Sequence, residues 1–252
     1  MVDTLRHRGP DDEGARVGSG VGLGMRRLSI IDVEGGRQPF SSEDDRIQLV
    51  ANGEIYNHAP LRAELIAKGH RFRSRSDIEV ILHGYEEFGI EVLGRLRGMF
   101  AFALWDGPKR RFFAARDRAG EKPLYYAQTP QRLLFASEIK SILLHPDVPR
   151  KPHGPTIHRY LATGSGLMDF TDATFFDGIR QIPPSHFLTL RGGRTEVKRY
   201  WEIERPASGD SPGTDEEAAE RFRDIFSDAV RLRLRSDVPL GVCLSGGLDS
   251  SS

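Results

Sequence analysis

Residues 100–115 constrain this chain more than any other stretch. Residues 100–105 and 112–115 are apolar extended runs, and Asp106-Gly107-Pro108-Lys109 between them has the composition of a tight reversal. Gly tolerates positive φ, Pro presets φ, and Asp bonds its own backbone. The pattern recurs where residues 124–127 and 133–136 flank Thr129-Pro130-Gln131. Short reversals join antiparallel neighbours, whereas parallel strands need crossovers of about a dozen residues or more. An antiparallel meander is expected here, not a doubly wound sheet.

Further strands are expected over residues 22–31 (GLGMRRLSII) and 47–51. Ser76-Asp77-Ile78-Glu79 has the form of a capping box, followed by Ile78, Ile81, Leu82, Tyr85 and Phe88 on one helical face and Gly89 as a stop. Leu61, Leu65 and Ile66 make a smaller stripe that ends at Gly69. Helices that bury one face beside hairpins imply stacked layers, an α+β domain.

Composition turns rich in Pro, Ser and Gly after residue 204, so residues 205–213 read as a linker between a first domain (1–204) and a second unit (214–252). Thr214 and Glu217 form another capping box ahead of a stripe of Phe222, Ile225, Phe226, Ala229 and Val230. Residues 241–244 then read as a buried strand, with Cys243 a small buried hydrophobe in it.

Charge excludes two function classes. The 36 Lys and Arg match 36 Asp and Glu, leaving no cation surplus to displace counterions from nucleic acid or to hold a membrane surface. The longest apolar run, residues 99–105, is far short of the ~20 residues a membrane helix needs. A single cysteine cannot close an intramolecular disulfide, and the first 25 residues lack the apolar core of a signal peptide. The cytoplasm is the expected compartment.

Two motifs carry chemistry. After residues 241–244 comes Ser245-Gly246-Gly247-Leu248-Asp249-Ser250-Ser251. Glycines there let backbone N–H groups turn inward, and a following helix presents its positive end to phosphate. The Gly-Lys-Ser/Thr of a Walker A loop is absent. Gly-Gly alone would mark only a turn, but the full string resembles the pyrophosphate loop of the N-type ATP pyrophosphatases. That resemblance implies ATP contacts at Leu244, Ser245, Gly246, Gly247, Leu248, Asp249 and Ser250.

The other motif is dispersed: His7-Arg8-Gly9-Pro10-Asp11, Arg27-Leu28-Ser29-Ile30-Ile31-Asp32, Asn52-Gly53-Glu54-Ile55-Tyr56-Asn57 and Ser76-Asp77. Each piece alone has a plain reading as a turn, a solvated arginine or a helix cap. In this order, with Gly98-Met99-Phe100-Ala101-Phe102, Arg116-Asp117-Arg118-Ala119-Gly120 and Ser137-Glu138-Ile139-Lys140 following, the chain resembles the glutamine-hydrolysing asparagine synthetases over nearly its whole length. That family's first half is a class II glutaminase of the N-terminal-nucleophile type.

The resemblance implies a four-layer αββα sandwich, followed by the first helix and strand of an α/β ATP-pyrophosphatase domain. It implies that Arg27 receives the α-carboxylate of glutamine through its guanidinium fork. Asp77 with Glu54 would meet the ammonium, and Leu28, Ile30 and Ile31 would contact the substrate through their backbone. Asn52 and Gly53 would hold the oxyanion. The family's nucleophile, a cysteine on a strand shortly before His-Arg-Gly-Pro, has no counterpart here, since Val2 follows Met1. Cys243 sits in the other unit, and Thr4 has no free amine as its base.

These residues are therefore expected to be an internal fragment of a longer ligase, unable to hydrolyse glutamine. The whole enzyme would use glutamine, aspartate and ATP with Mg²⁺, giving asparagine, glutamate, AMP and pyrophosphate. The fragment itself is expected to hold no cofactor tightly, and no metal-ligand set is read from the sequence. The motifs leave open another acceptor, in exopolysaccharide, lasso-peptide or β-lactam chemistry, and a catalytically silent glutamine-binding or self-association module. Nucleic acid and membrane are excluded as partners, and a homodimer is admitted.

Overall fold

The computed structural model describes residues 1–18, 20–164, 171–204 and 213–251. In chain order its elements are β1 (Asp12–Gly18), β2 (Val21–Arg27), β3 (Phe40–Ser41), β4 (Ile47–Ile55), α1 (His58–Ala67), α2 (Glu79–Phe88), α3 (Val92–Arg95), β5 (Gly98–Asp106) and β6 (Arg111–Arg116). There follow β7 (Tyr125–Gln128), β8 (Leu133–Ala136), α4 (Ile139–Ile142), α5 (Gly154–Thr163), β9 (Ile179–Gln181), β10 (His186–Arg191), β11 (Arg194–Arg199), α6 (Asp215–Arg233) and α7 (Leu248–Ser251).

The first hairpin closes as its sequence dictates. Asp106 pairs with Arg111, and the Arg110 N–H donates to Gly107 C=O at 3.0 Å. β5 lies at the centre of an antiparallel six-stranded sheet ordered β11-β10-β6-β5-β4-β3. Its period-two alternation sets the layers. Phe100, Phe102 and Leu104 share one core with Ile81, Leu82 and Tyr85 of α2. Ala101 and Ala103 point the other way, into a core with Leu23, Leu124 and Tyr126. That second layer consists of the pair β1-β2 and the three-stranded sheet β8-β7-β9. Its far side buries Ala127, Ala136 and Ile179 against Ile142 of α4. Helices, sheet, sheet and helix follow one another, so the fold is the four-layer αββα sandwich of the N-terminal-nucleophile type. Within the second layer, β2 and β8 each have one edge that pairs with no described strand.

Local departures from the sequence reading have physical causes. The strand expected over 22–31 ends at Arg27, where pairing with β1 stops at Asp12. Beyond it the Arg27 guanidinium donates to the carbonyls of Ile31, Asp32 and Val33 at 2.8, 2.8 and 3.0 Å, which curls the chain into a loop. Ser76-Glu79 is not a reciprocal capping box, because the Glu79 carboxylate turns back to accept the N–H groups of Arg73 and Ser74. On α1, Leu61 and Leu65 are buried while Ile66 is exposed.

Residues 241–244 form no strand, and Val242, Leu244 and Cys243 are exposed. An apolar run becomes a buried strand only beside partner strands, and none is described next to it. The capping box of α6 does form: Glu217 N–H donates to Thr214 Oγ1, and the Glu217 carboxylate accepts the Thr214 N–H. The expected linker lies outside the described residues except for Gly213. Among the described residues, no helix is long and apolar enough to cross a membrane.

Candidate active site

A cavity of about 550 Å³ opens between the loop after β2 and the outer end of β4. Arg27, Leu28, Ile30, Ile31, Asn52, Gly53, Glu54 and Asp77 all line it. Three separate segments of sequence thus converge on one space.

β4 presents Asn52, Gly53 and Glu54 through its register with β5, where Gly53 faces Phe100. Gly53 takes φ +151°, and a Cβ there would lie 2.1 Å from the Met99 carbonyl oxygen, so only glycine fits. Gln38 braces the strand from behind. Its side-chain amide accepts the Ala51 N–H at 2.7 Å and donates to the Ala51 carbonyl at 3.1 Å, one residue before Asn52.

Asp77 is only 3% exposed, and its Oδ2 accepts the Ile55 N–H at 2.7 Å, so it buttresses β4 rather than capping α2. Burial pushes its carboxyl up to about 6; the neighbouring Glu54 charge adds to this, while the N–H of Ile55 opposes it. Glu54 is also raised by burial, against the pull of Lys122. Two reluctant carboxylates in one cavity favour a cationic guest that would restore the charge they lack. Arg27 spends part of its guanidinium on the loop carbonyls, which orients it. Its Nε and the second Nη1 proton have no hydrogen-bond partner among the described residues. A cation-seeking end and an anion-seeking side suit a small zwitterion.

Ser76, part of the dispersed motif, lines the cavity too, as do Gln38 and Lys122, which no single-residue signal in the sequence picks out. Cys243 does not line it. The Ser245–Ser250 set does not line it either, and forms its own exposed turn, in which Gly246 has φ +78° and the Ser245 and Ser250 hydroxyls lie 2.9 Å apart.

The layers match those of glutamine phosphoribosylpyrophosphate amidotransferase from Bacillus subtilis, with a TM-score of 0.55 and 19% identity over 80% of this chain and 45% of that one. Residues 1–201 match the family model for the glutamine amidotransferase domain, and residues 221–252 match that for asparagine synthase. The chain belongs to the glutamine amidotransferase domain family. It is 41% identical over 254 residues to asparagine synthetase [glutamine-hydrolyzing] 3 of Bacillus subtilis (strain 168), covering 100% of this chain and 41% of the relative. It is also 41% identical over 256 residues to amidase chry2 of Gibberella zeae, covering 100% of this chain and 37% of that protein. The chain therefore spans about two fifths of the curated relatives it matches.

Proposed function

We propose that these residues are the glutamine-handling part of a glutamine-dependent asparagine synthetase. The convergence of Arg27, Asn52, Gly53, Glu54 and Asp77 on one cavity carries the reading. In it, Arg27 receives the α-carboxylate and Asp77, with Glu54, the α-ammonium. The Asn52 side-chain amide and the Gly53 N–H stabilise the oxyanion as water replaces the amide nitrogen, giving glutamate and ammonia. Removing one such donor typically costs about 10²–10³ in rate.

The attacking group comes from elsewhere. The chain has one cysteine, which is exposed and outside the cavity. We infer that the working enzyme draws its nucleophile from outside these residues, at the wall of the cavity. Leu23 and Met25 of β2 and Leu133 and Phe135 of β8 already line the same cavity. These 252 residues alone then bind glutamine without hydrolysing it.

The residues of the second unit fit a phosphate. Gly246 has the left-handed conformation of an anion-binding turn, with two serine hydroxyls across it. ATP with Mg²⁺ would there supply the activating adenylyl group for aspartate, and no ligand for the Mg²⁺ is assigned among these residues. A second reading changes the acceptor only, favoured by the equal identity to a relative named as an amidase.

Calorimetry of the chain with glutamine tests the reading. Binding that disappears in Arg27→Ala, without ammonia release, is the expected result, and no heat at millimolar glutamine would overturn it. The longer enzyme, given glutamine, ATP–Mg²⁺ and aspartate, should yield asparagine and AMP. AMP formation only with another acceptor would select the second reading.

A further inference from the structure

We propose that Glu43, His70 and His83 form a site for a divalent transition-metal ion of the Zn²⁺ or Ni²⁺ kind. None of the three lines the glutamine cavity. Glu43 lies in the turn between β3 and β4, His70 follows α1, and His83 sits on the second turn of α2. One ligand atom from each lies within 4.8 Å of the other two. An ion bound at about 2.0–2.2 Å in a tetrahedron holds its ligand atoms roughly 3.3–3.6 Å apart, so no separation in the set need close by more than about 1.5 Å.

His83 is the second, independent sign. It is 1% exposed, and its Nε2 is a buried atom with no hydrogen-bond partner. Its Nδ1 lies 2.8 Å from Glu86 Oε2. In the tautomer that carries the proton on Nδ1, the ring donates to this carboxylate and leaves the Nε2 lone pair empty-handed. Metal-bound histidines show this arrangement, in which a carboxylate fixes the tautomer and raises the basicity of the ligating nitrogen.

Nε2 has Glu79 Oε1 at 3.5 Å. That spacing suits two ligands sharing an ion better than an aligned hydrogen bond. Glu79 is in any case engaged, since its oxygens accept the N–H groups of Arg73 and Ser74 at 2.8 and 2.9 Å. His70 reaches the cluster from the other side, its ring 5.3 Å from that of His83 and its Nδ1 3.7 Å from Glu86 Oε2. Two imidazoles with carboxylates favour a borderline ion over Mg²⁺ or Ca²⁺, which prefer all-oxygen sets.

The ion would tie α1 and α2 to the β3–β4 turn.

Titration of the full chain with zinc chloride tests this, in a Cys243→Ser background that removes the exposed thiol. One Zn²⁺ per chain at micromolar affinity or tighter is expected, with a raised melting temperature that a chelator reverses. Glu43→Gln and His70→Gln leave the buried His83 in place, so they should fold, and each should weaken binding by about 10–100-fold. Absence of stoichiometric binding at sub-millimolar zinc would overturn the proposal. So would binding that is unchanged in the Glu43→Gln/His70→Gln double variant, which would mark zinc held at scattered surface groups.

Discussion

The carboxylate of Asp237 accepts the N–H of Asp32 at 2.7 Å, while the N–H of Asp237 donates to the Ile30 carbonyl at 3.0 Å. The segment after α6 thereby grips the loop whose carbonyls grip Arg27. Asp32 is a pivot in that loop, with φ +54°, and its side chain accepts the N–H groups of Gly35 and Arg75 at 3.1 and 2.7 Å. Arg235 adds a bond of 2.9 Å to the Tyr56 carbonyl at the end of β4. The segment after α6 is therefore joined to the cavity's rim, where a change in it can reach Arg27.

Loosening that grip should weaken glutamine binding without unfolding the protein. Asp237→Ala removes one exposed charge-assisted bond, worth about 1 kcal/mol, so the dissociation constant should rise about fivefold. Asp237→Asn keeps an acceptor oxygen and should restore most of the affinity. Calorimetry of the three proteins checks this. Equal affinities would show that the contact does not position the loop.

Asp77 sets a pH dependence of defined sign. Its carboxyl titrates near 6, and only the ionised form attracts an ammonium group. Glutamine affinity should therefore fall as pH drops through about 6 and level off above it. Stability runs the other way. Because burial raises the folded-state value above the ordinary 3.8, the unliganded protein loses stability between those two values as pH rises, by at most about 3 kcal/mol, and stays level above them. Asp77→Asn can still accept the Ile55 N–H and should flatten both profiles. A pH-independent affinity in the unsubstituted protein would remove Asp77 from the ammonium site.

The exposed stripe of α6 makes a prediction about motion. Phe222 is 68% and Ile225 61% exposed, and Phe222 stacks on Phe226 with no core beneath them. A helix of 19 residues held by its capping box and few tertiary contacts is marginal in water. Amide exchange across 215–233 should be fast compared with α2, whose Val80, Ile81 and Leu82 are fully buried. Strong protection of 215–233 in a monomer would contradict this, and protection that grows with concentration would mean the stripe pairs between chains.

What was legible in the sequence was what is local or strung in order. The 100–115 hairpin declared itself through Asp106, Gly107 and Pro108, because reversal chemistry is carried by the reversing residues. Asn52, Gly53 and Glu54 stood in one motif, and the cavity they share with Arg27 and Asp77 followed from the family resemblance. Gln38 was not legible, since an amide that pairs with Ala51 looks like any other glutamine until β4 is laid beside it. Glu43, His70 and His83 come from three segments with no common spacing. Residues 241–244 misled for the opposite reason: apolar side chains specify burial only when neighbouring strands exist to bury them.

Gly53 offers the sharpest test of how β4 is built. Its φ of +151° and the 2.1 Å approach of a Cβ to the Met99 oxygen mean that alanine must displace backbone rather than a side chain. The neighbouring strand cannot yield cheaply, because in the core Phe100 of β5 packs on Phe102 and Phe102 on Phe113. Gly53→Ala should therefore cost about 2–4 kcal/mol, read as a lower urea midpoint at unchanged slope. Gly18→Ala, where a Cβ meets nothing within 4 Å, should leave the midpoint where it is. If the Gly53→Ala protein keeps its stability, the strand has moved to admit the methyl. Glutamine affinity should then fall instead, since the Asn52 amide and residue 53 N–H would shift together out of the cavity wall.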